Sequence, residues 1–453
     1  MRNEEIQNNP AGRKYEEKEY IIQDNSAGRK YEEREYIIQD NSADNSRMGY
    51  IGVLWKLVIL LALTTSVFSL SYGIRKVAFA TNQFGMDLYR AMNQESNNTN
   101  VAISPLSIST ALAAMMIGSR GDSTAALRHA LYLWGMYPQE IHGAFYDLLH
   151  HLSTNLQASA AHRHNNESVT NESVNNLLLY SSMYVQRDFS VRFPFQMFLL
   201  GYYNTTVHPV DFYDNGEETR NHINAVVSKE TAGKIKDILP ELPARSTTML
   251  LLNGIHFRGL LDMNVSVVEE GTKEVVNGAV VLEAKKARLR YGEDKYLNCT
   301  AVEVPFKNDF MSMVFLLPNH PEDVALIERR LSAQRLSDVI FNMEVKRVNI
   351  QIPRITLEET YQNLSHALSS MGLANIFTPG YAGLFGISDS RWLHLSDIVH
   401  KINIEIKEAK IETAPETSGD NAAIDVKLDR PFVYFVIDNI SGLIITLGKF
   451  YNQ

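Results

Sequence analysis

Cysteine is all but absent. Cys299 stands alone in 453 residues, so no disulfide can close within the chain and the fold must be held by its core. Its thiol, inside an Asn-Cys-Thr sequence, reads either as a strand residue or as a group that pairs between molecules. Charge of one sign is also scarce. The formal net charge is −9, with no basic stripe and no long acidic tail, so neither nucleic acid nor a polycation is an expected partner. Signatures of catalysis and phosphate binding are missing as well. There is no Gly-x-Gly-x-x-Gly, Walker loop, His-Glu-x-x-His or Gly-x-Ser-x-Gly, which excludes the corresponding nucleotide, zinc and hydrolase chemistries; the protein is expected not to be an enzyme and to need no cofactor or metal.

What remains is an ordinary globular composition, 45% apolar, long enough for one large or two ordinary domains. The first 47 residues differ from the rest. AGRKYEEKEYIIQDNS at 11–26 recurs at 27–42 with Arg34 replacing Lys18, a tandem duplication that is polar and charged and is expected to be disordered. It is either an unselected extension or an acidic, tyrosine-bearing segment that docks on a basic partner.

Residues 48–71 follow as an apolar segment, densest from Leu57 to Leu63, too short for a comfortable membrane span and the right length for a secretory core. Met48 lies where a signal peptide should begin, so translation is expected to start there; a start at Met1 instead makes the segment a signal-anchor and the protein a type II membrane form. Asn-x-Ser/Thr sequons at Asn97, Asn166, Asn171, Asn204, Asn264, Asn298, Asn363 and Asn439 add to the expectation of an extracellular, glycosylated protein. The C-terminal KFYNQ carries no retention signal.

From residue 80 the patterns become regular. Phe84, Leu88 and Met92 share a helical face; Ser104 and Pro105 predict a capped helix that stops near Gly118; and Ile141, Phe145, Leu148, Leu149, Leu152 and Leu156 repeat at helical spacing. Later the period becomes that of strands, in VEVPF, MVFLLP, VNIQIPRI, INIEIK, FVYFVI and LIITLG. Helices early and strands late indicate one large α+β domain. Among the histidines, His150, His151, His162 and His164 cluster; they read as a solvated helix end and loop rather than a metal site.

NVAISPLSISTALAAMMIGSRGDST at 100–124, YVQRDF at 184–189, VHPVDF at 207–212 and INAVVSKETAGKIKDILP at 223–240 stand in a fixed order. They are followed by VEVPFKNDFMSMVFLLP at 302–318, DIVHKINIEI at 397–406 and DRPFVYFVIDNISGLIITLGKF at 429–450. In this order and spacing the chain from residue 80 to 453 resembles a serpin. The resemblance implies a metastable fold of three β-sheets and about nine helices, with an exposed C-terminal reactive loop at about 408–428. In inhibitory members a serine protease cuts that loop, whose freed half inserts into the main sheet and drags the acyl-enzyme with it. The implied partner is thus a target serine protease, held covalently by a monomer. Heparin is not indicated, since the helix from Gln139 to Leu156 carries no lysine or arginine.

Carried onto this chain, the resemblance makes Ser104, Ser107, Asn253 and His400 the hydrogen-bonded cluster beneath the place where the sheet parts. These are not a triad, because Ser104 is a helix cap rather than an exposed nucleophile. The hinge falls on Glu408, Lys410, Ile411, Glu412, Thr413 and Pro415. Here the chain departs from the family, with Lys410 and Ile411 for Gly and Thr, and Thr413, Ala414, Pro415 and Glu416 where alanines are usual. Proline has no N–H to give to a central strand. Leu261 and Val226 stand where tryptophans are expected. The cleaved bond is expected near Ile424–Asp425, with Lys427 a second candidate. Two readings follow: a secreted protease inhibitor, or a non-inhibitory carrier, chaperone or cleavable precursor.

Overall fold

The computed structural model describes residues 72–93, 99–164, 175–263, 266–268, 281–307, 310–408 and 422–451, with two further strands at 14–20 and 33–39. The apolar segment at 48–71 lies outside them. Two compact units divide the chain, Met1–Ser69 and Leu70–Gln453.

In the first unit β1 (Lys14–Tyr20) pairs antiparallel with β2 (Glu33–Gln39). One strand comes from each copy of the repeat. The register sets Lys18 opposite Glu35 and Glu19 opposite Arg34, opposite charges directly across the ladder.

The second unit has its helices early, as the periodicity predicts: α1 (Tyr72–Asn93), α2 (Pro105–Gly118), α3 (Asp122–Ala130), α4 (Pro138–His164), α5 (Phe193–Tyr203) and α6 (Gly216–Glu230). Shorter ones follow, α7 (Val324–Arg330), α8 (Ala333–Phe341), α9 (Leu364–Leu368) and α10 (Ala374–Phe377). The α2 boundaries come from local chemistry. Ser104 accepts the Ser107 N–H at 3.2 Å, Pro105 fills the first turn, and the helix ends at Gly118, where an added Cβ would meet Ile387 at 2.2 Å.

The strands are β3 (Val101–Ile103), β4 (Asn176–Gln186), β5 (Thr206–Val210), β6 (Met249–Leu261), β7 (Ser266–Val268), β8 (Val281–Asp294) and β9 (Cys299–Pro305). The later ones are β10 (Met311–Pro318), β11 (Glu344–Pro353), β12 (Thr356–Tyr361), β13 (Asp397–Glu408), β14 (Ile424–Lys427), β15 (Phe432–Asp438) and β16 (Leu443–Phe450). Two sheets result. One has the order β12-β13-β6-β4-β5; the other runs β14-β11-β8-β9-β10-β15-β16-β3, with β7 on the free edge of β8. The third sheet that the resemblance implies is the outer part of the second assembly. Strand β8 is continuous through both parts: Val281–Glu283 pairs with β7, Arg290–Asp294 with β9, and a bulge in β8 at Lys285 and Lys286 (φ 51° at Lys286), opposite Asn349 of β11, separates them.

Between the sheets and α1–α4 lies one large apolar core that includes Phe84, Leu88, Phe145, Phe315, Phe432 and Phe435. A second, smaller core lies where α6 and the segment after it cover the five-stranded sheet, with Ile223, Val227, Ile235 and Ile238 against Tyr184, Leu250, Leu252 and Val399. Close approach on each face of β6 depends on a glycine: a Cβ on Gly254 would meet Ile235 at 2.4 Å, and one on Gly259 would meet the Phe306 ring at 2.3 Å. Gly259→Ala should therefore lower stability by about 1–3 kcal/mol, the usual cost of overpacking, as read from urea unfolding. An unchanged midpoint would show that Phe306 moves aside freely.

Candidate functional site

The two central strands of the five-stranded sheet, β6 and β13, pair directly and in parallel from Leu250 opposite Asp397 to Leu261 opposite Glu408. Every residue of β6 is buried, and β13 contributes Ile398, Ile402, Ile404 and Ile406 to the core. Such near-continuous apolar runs suit a sheet covered on both faces.

Buried polar residues interrupt this seam at Asn253, His256, Arg258, His400 and Lys401, and two of them lie side by side. His400 lies opposite Asn253, both fully buried. The His400 Nε2 accepts the Ser104 N–H at 3.2 Å; the Ser104 hydroxyl donates to the Ile445 carbonyl at 2.7 Å and accepts from the Ser107 N–H. Tyr361, across the other edge of β13, stacks on the imidazole at 6.5 Å and accepts the Ala102 N–H at 3.0 Å. Ser104, Ser107 and His400 are thus joined by hydrogen bonds. Asn253 is in register with them but makes no hydrogen bond, and neither its amide atoms nor His400 Nδ1 have a partner among the described residues. With Nε2 accepting from Ser104, the neutral imidazole carries its proton on Nδ1, and that N–H has no acceptor among the described residues. The buried Ser104 hydroxyl is a cap and a donor to backbone, which gives this cluster no exposed nucleophile.

At the upper end of the seam, Phe306 closes the mouth. Its ring meets Phe257 edge-on at 5.3 Å, its backbone bridges to the buried Leu261, and the Lys307 N–H donates to the Leu260 carbonyl at 2.8 Å. A leucine replaces the expected indole at Leu261, and Phe306, within the VEVPF run, supplies the aromatic bulk. Val226, the other position of an expected indole, is half-buried on α6.

Glu408 ends β13, and the chain returns to described residues at 422. The hinge residues Lys410, Ile411, Glu412, Thr413 and Pro415 lie outside the described residues. The cleavage candidates do not, and they are strand residues. Ile424, Asp425 and Lys427 belong to β14, which pairs in parallel with β11 from Val348 opposite Ile424 to Gln351 opposite Lys427. Val426 and Leu428 are buried in alternation with exposed Asp425 and Lys427, which pins the strand; Asp425 also accepts the Asn349 side-chain amide at 2.7 Å.

Other sequence-derived sites divide similarly. Asn204, Asn363 and Asn439 are exposed, the first two in left-handed turns, whereas the Asn298 amide nitrogen donates to Asp323 at 2.6 Å and is not free for a glycan. Asn97, Asn166, Asn171 and Asn264 lie outside the described residues. Cys299 is buried, which lifts its thiol to about 12 and removes it from pairing between molecules. Of the histidines, His150 stacks on Tyr146 and His151 faces the Asp438 carboxylate at 3.4 Å.

Burial lowers the His400 pKa from 6.5 to about 3, so the folded state refuses a proton that the unfolded chain accepts. Stability should therefore fall with pH below about 6.5 by up to about 1.4 kcal/mol per pH unit from this group alone. His400→Gln, which keeps an acceptor for Ser104, should flatten that part of the curve when urea midpoints are compared between about pH 6 and 4. Parallel curves would mean that the imidazole is not held neutral.

Comparison with known proteins agrees with this arrangement. Residues 79–453 match the family model described as serpin, serine protease inhibitor. The leukocyte elastase inhibitor of Equus caballus is 29% identical over 398 residues, covering 83% of this chain and 99% of that protein. The one from Sus scrofa is 30% identical over 397 residues, with the same coverage. Among solved structures, uncleaved ovalbumin superimposes with a TM-score of 0.70 at 21% identity over 83% of this chain and 99% of its own. Mouse protein-Z dependent protease inhibitor gives 0.71 at 20% identity, covering 83% of this chain and 98% of that one. With most of its length matched by the family model, and with the fold and the central seam in place, the chain belongs to the serpin family.

Proposed function

We propose that the protein inhibits a serine protease by offering the loop between Glu408 and Ile424 as a false substrate and then folding the cleaved strand between β6 and β13. The protease serine oxygen attacks a loop carbonyl, and the C–N bond breaks. The new amine leaves with the proton, and the upstream half of the loop remains joined to the protease as an ester. Insertion then deforms the protease before water completes hydrolysis.

The observation that carries this reading is the direct β6–β13 pair with unsatisfied polar groups on its buried face. A strand folding back from Glu408 runs antiparallel to β13 and, since β6 is parallel to β13, antiparallel to β6 also; both of its edges can pair. The closed seam leaves Asn253 and His400 with orphaned polar atoms, each costing about 1–3 kcal/mol, and parting the strands is the change that offers them partners. Pro415 works against this, because a central strand loses one ladder bond there.

Passage into the secretory pathway belongs to the same reading. It is supported by the apolar segment at 48–71 and by sequons at the exposed turns of Asn204 and Asn363.

Incubated with trypsin-like, chymotrypsin-like and elastase-like proteases, the protein should give a band at the summed mass that survives denaturant, and Pro415→Ala should raise the trapped fraction over the merely cleaved fraction several-fold. Cleavage by all of them with no such band makes the protein a carrier or precursor instead. Chain recovered from the medium of secreting cells should lose mass with peptide N-glycosidase, and the shift should shrink in Asn204→Gln; an unglycosylated, cell-retained chain would overturn the secretory part.

A further inference from the structure

The outward face of β8 and β11 carries cations that the fold does not use. Arg288 and Arg347 are direct cross-strand partners on one face of the antiparallel pair, a placement that costs stability because like charges oppose each other. Among the described residues neither forms an ion pair, and neither does the exposed Lys286 beside them. Acidic neighbours are few and engaged elsewhere. Glu283 lies 3.8 Å from Lys285, Glu344 lies 3.6 Å from Lys346, and Asp425 accepts from Asn349. The next cation along β8 shows the contrast: Arg290 meets Glu303 at 2.7 Å.

Apolar groups border these charges. Val345, next but one to Arg347 on β11 and opposite Arg290, is 59% exposed, and Phe341 at the end of α8 is 84% exposed. Arg290 ties the two together by donating to the Ile340 carbonyl. Position supplies the remaining clue. Arg347 precedes Val348, the partner of Ile424, where the chain re-enters the sheet after the reactive loop. The arginine pair is thus one to two strand spacings, about 5–10 Å, from that return point.

We propose that this face is a secondary docking surface for the protease that engages the reactive loop, receiving an acidic patch with an apolar centre. It rests on the inhibitor reading above. The unpaired cations explain acidic complementarity, which acts chiefly on association rate. Exposed Val345 and Phe341 favour a folded protein over a polysaccharide, which would use the charges and leave both apolar groups in water.

The test measures the second-order rate constant of complex formation with each protease of the panel at low and at high salt. Arg288→Glu with Arg347→Glu should slow association at least tenfold at low salt for at least one protease, the gap closing at high salt, with unchanged stoichiometry. Arg288→Glu alone provides the control on folding: it sets a carboxylate against Arg347 across the ladder in place of a like charge, so thermal stability should hold or rise while association still slows. Equal rates for wild type and both variants with every protease would overturn the surface. So would equal rates accompanied by loss of retention on a heparin column, which would assign the face to a polyanion. A wild type that forms no complex with any protease overturns the inhibitor reading itself, a result visible before any variant is made.

Discussion

The structure depends on the contact between β6 and β13. These strands are far apart in sequence and lie side by side without an intervening strand, running in the same direction at the middle of a sheet whose other pairs are fixed. A parallel pair can take one antiparallel strand between its members, and in the proposed mechanism the chain leaving Glu408 supplies it. Everything else nearby either keeps the pair closed or sets what opening it releases. The segment after α6 presses Ile235 onto Gly254 on one face; Phe306 presses onto Gly259 on the other. His400, held by Ser104, sits between with its second nitrogen unsatisfied.

This arrangement gives a physical meaning to metastability. A fully apolar seam would gain little from being parted, since the strands would exchange one set of backbone bonds for another. A seam with a buried neutral imidazole and a buried amide, both short of partners, already carries a penalty in the closed form. On the inhibitor reading proposed above, the hinge sets how fast that penalty is relieved: Lys410 and Ile411 in place of small residues, and Pro415 in place of an alanine, would slow the entry of a strand without removing the reason for it to enter. Inhibition would then be a competition between insertion and hydrolysis, with the departures in this chain acting on its rate.

Much of this was legible in the sequence, for local reasons. Ser104 followed by Pro105 is a helix start in any context, and the structure uses it so. The alternation of Ile402, Ile404 and Ile406 marks β13, and the motifs surrounding Asn253 and His400 locate the cluster. Three features were not legible because they depend on pairing across distance. Alternation in IDVKL extends far enough back to place Ile424 in β14, but only its parallel partner β11 shows where the loop ends. The strands Lys14–Tyr20 and Glu33–Gln39 come from the two copies of one repeat, and only their register sets Lys18 against Glu35 and Glu19 against Arg34. The loss of an indole at Leu261 reads as a gap in the mouth; Phe306, distant in sequence, fills it.

The most direct test is thermal unfolding of the protein before and after a single cut between residues 409 and 423. If the cleaved strand enters between β6 and β13, the unfolding midpoint rises by far more than any surface change produces, and the cut chain resists conditions that unfold the intact one. A midpoint that stays where it was, or falls, means that the seam remains closed and that this central account is wrong.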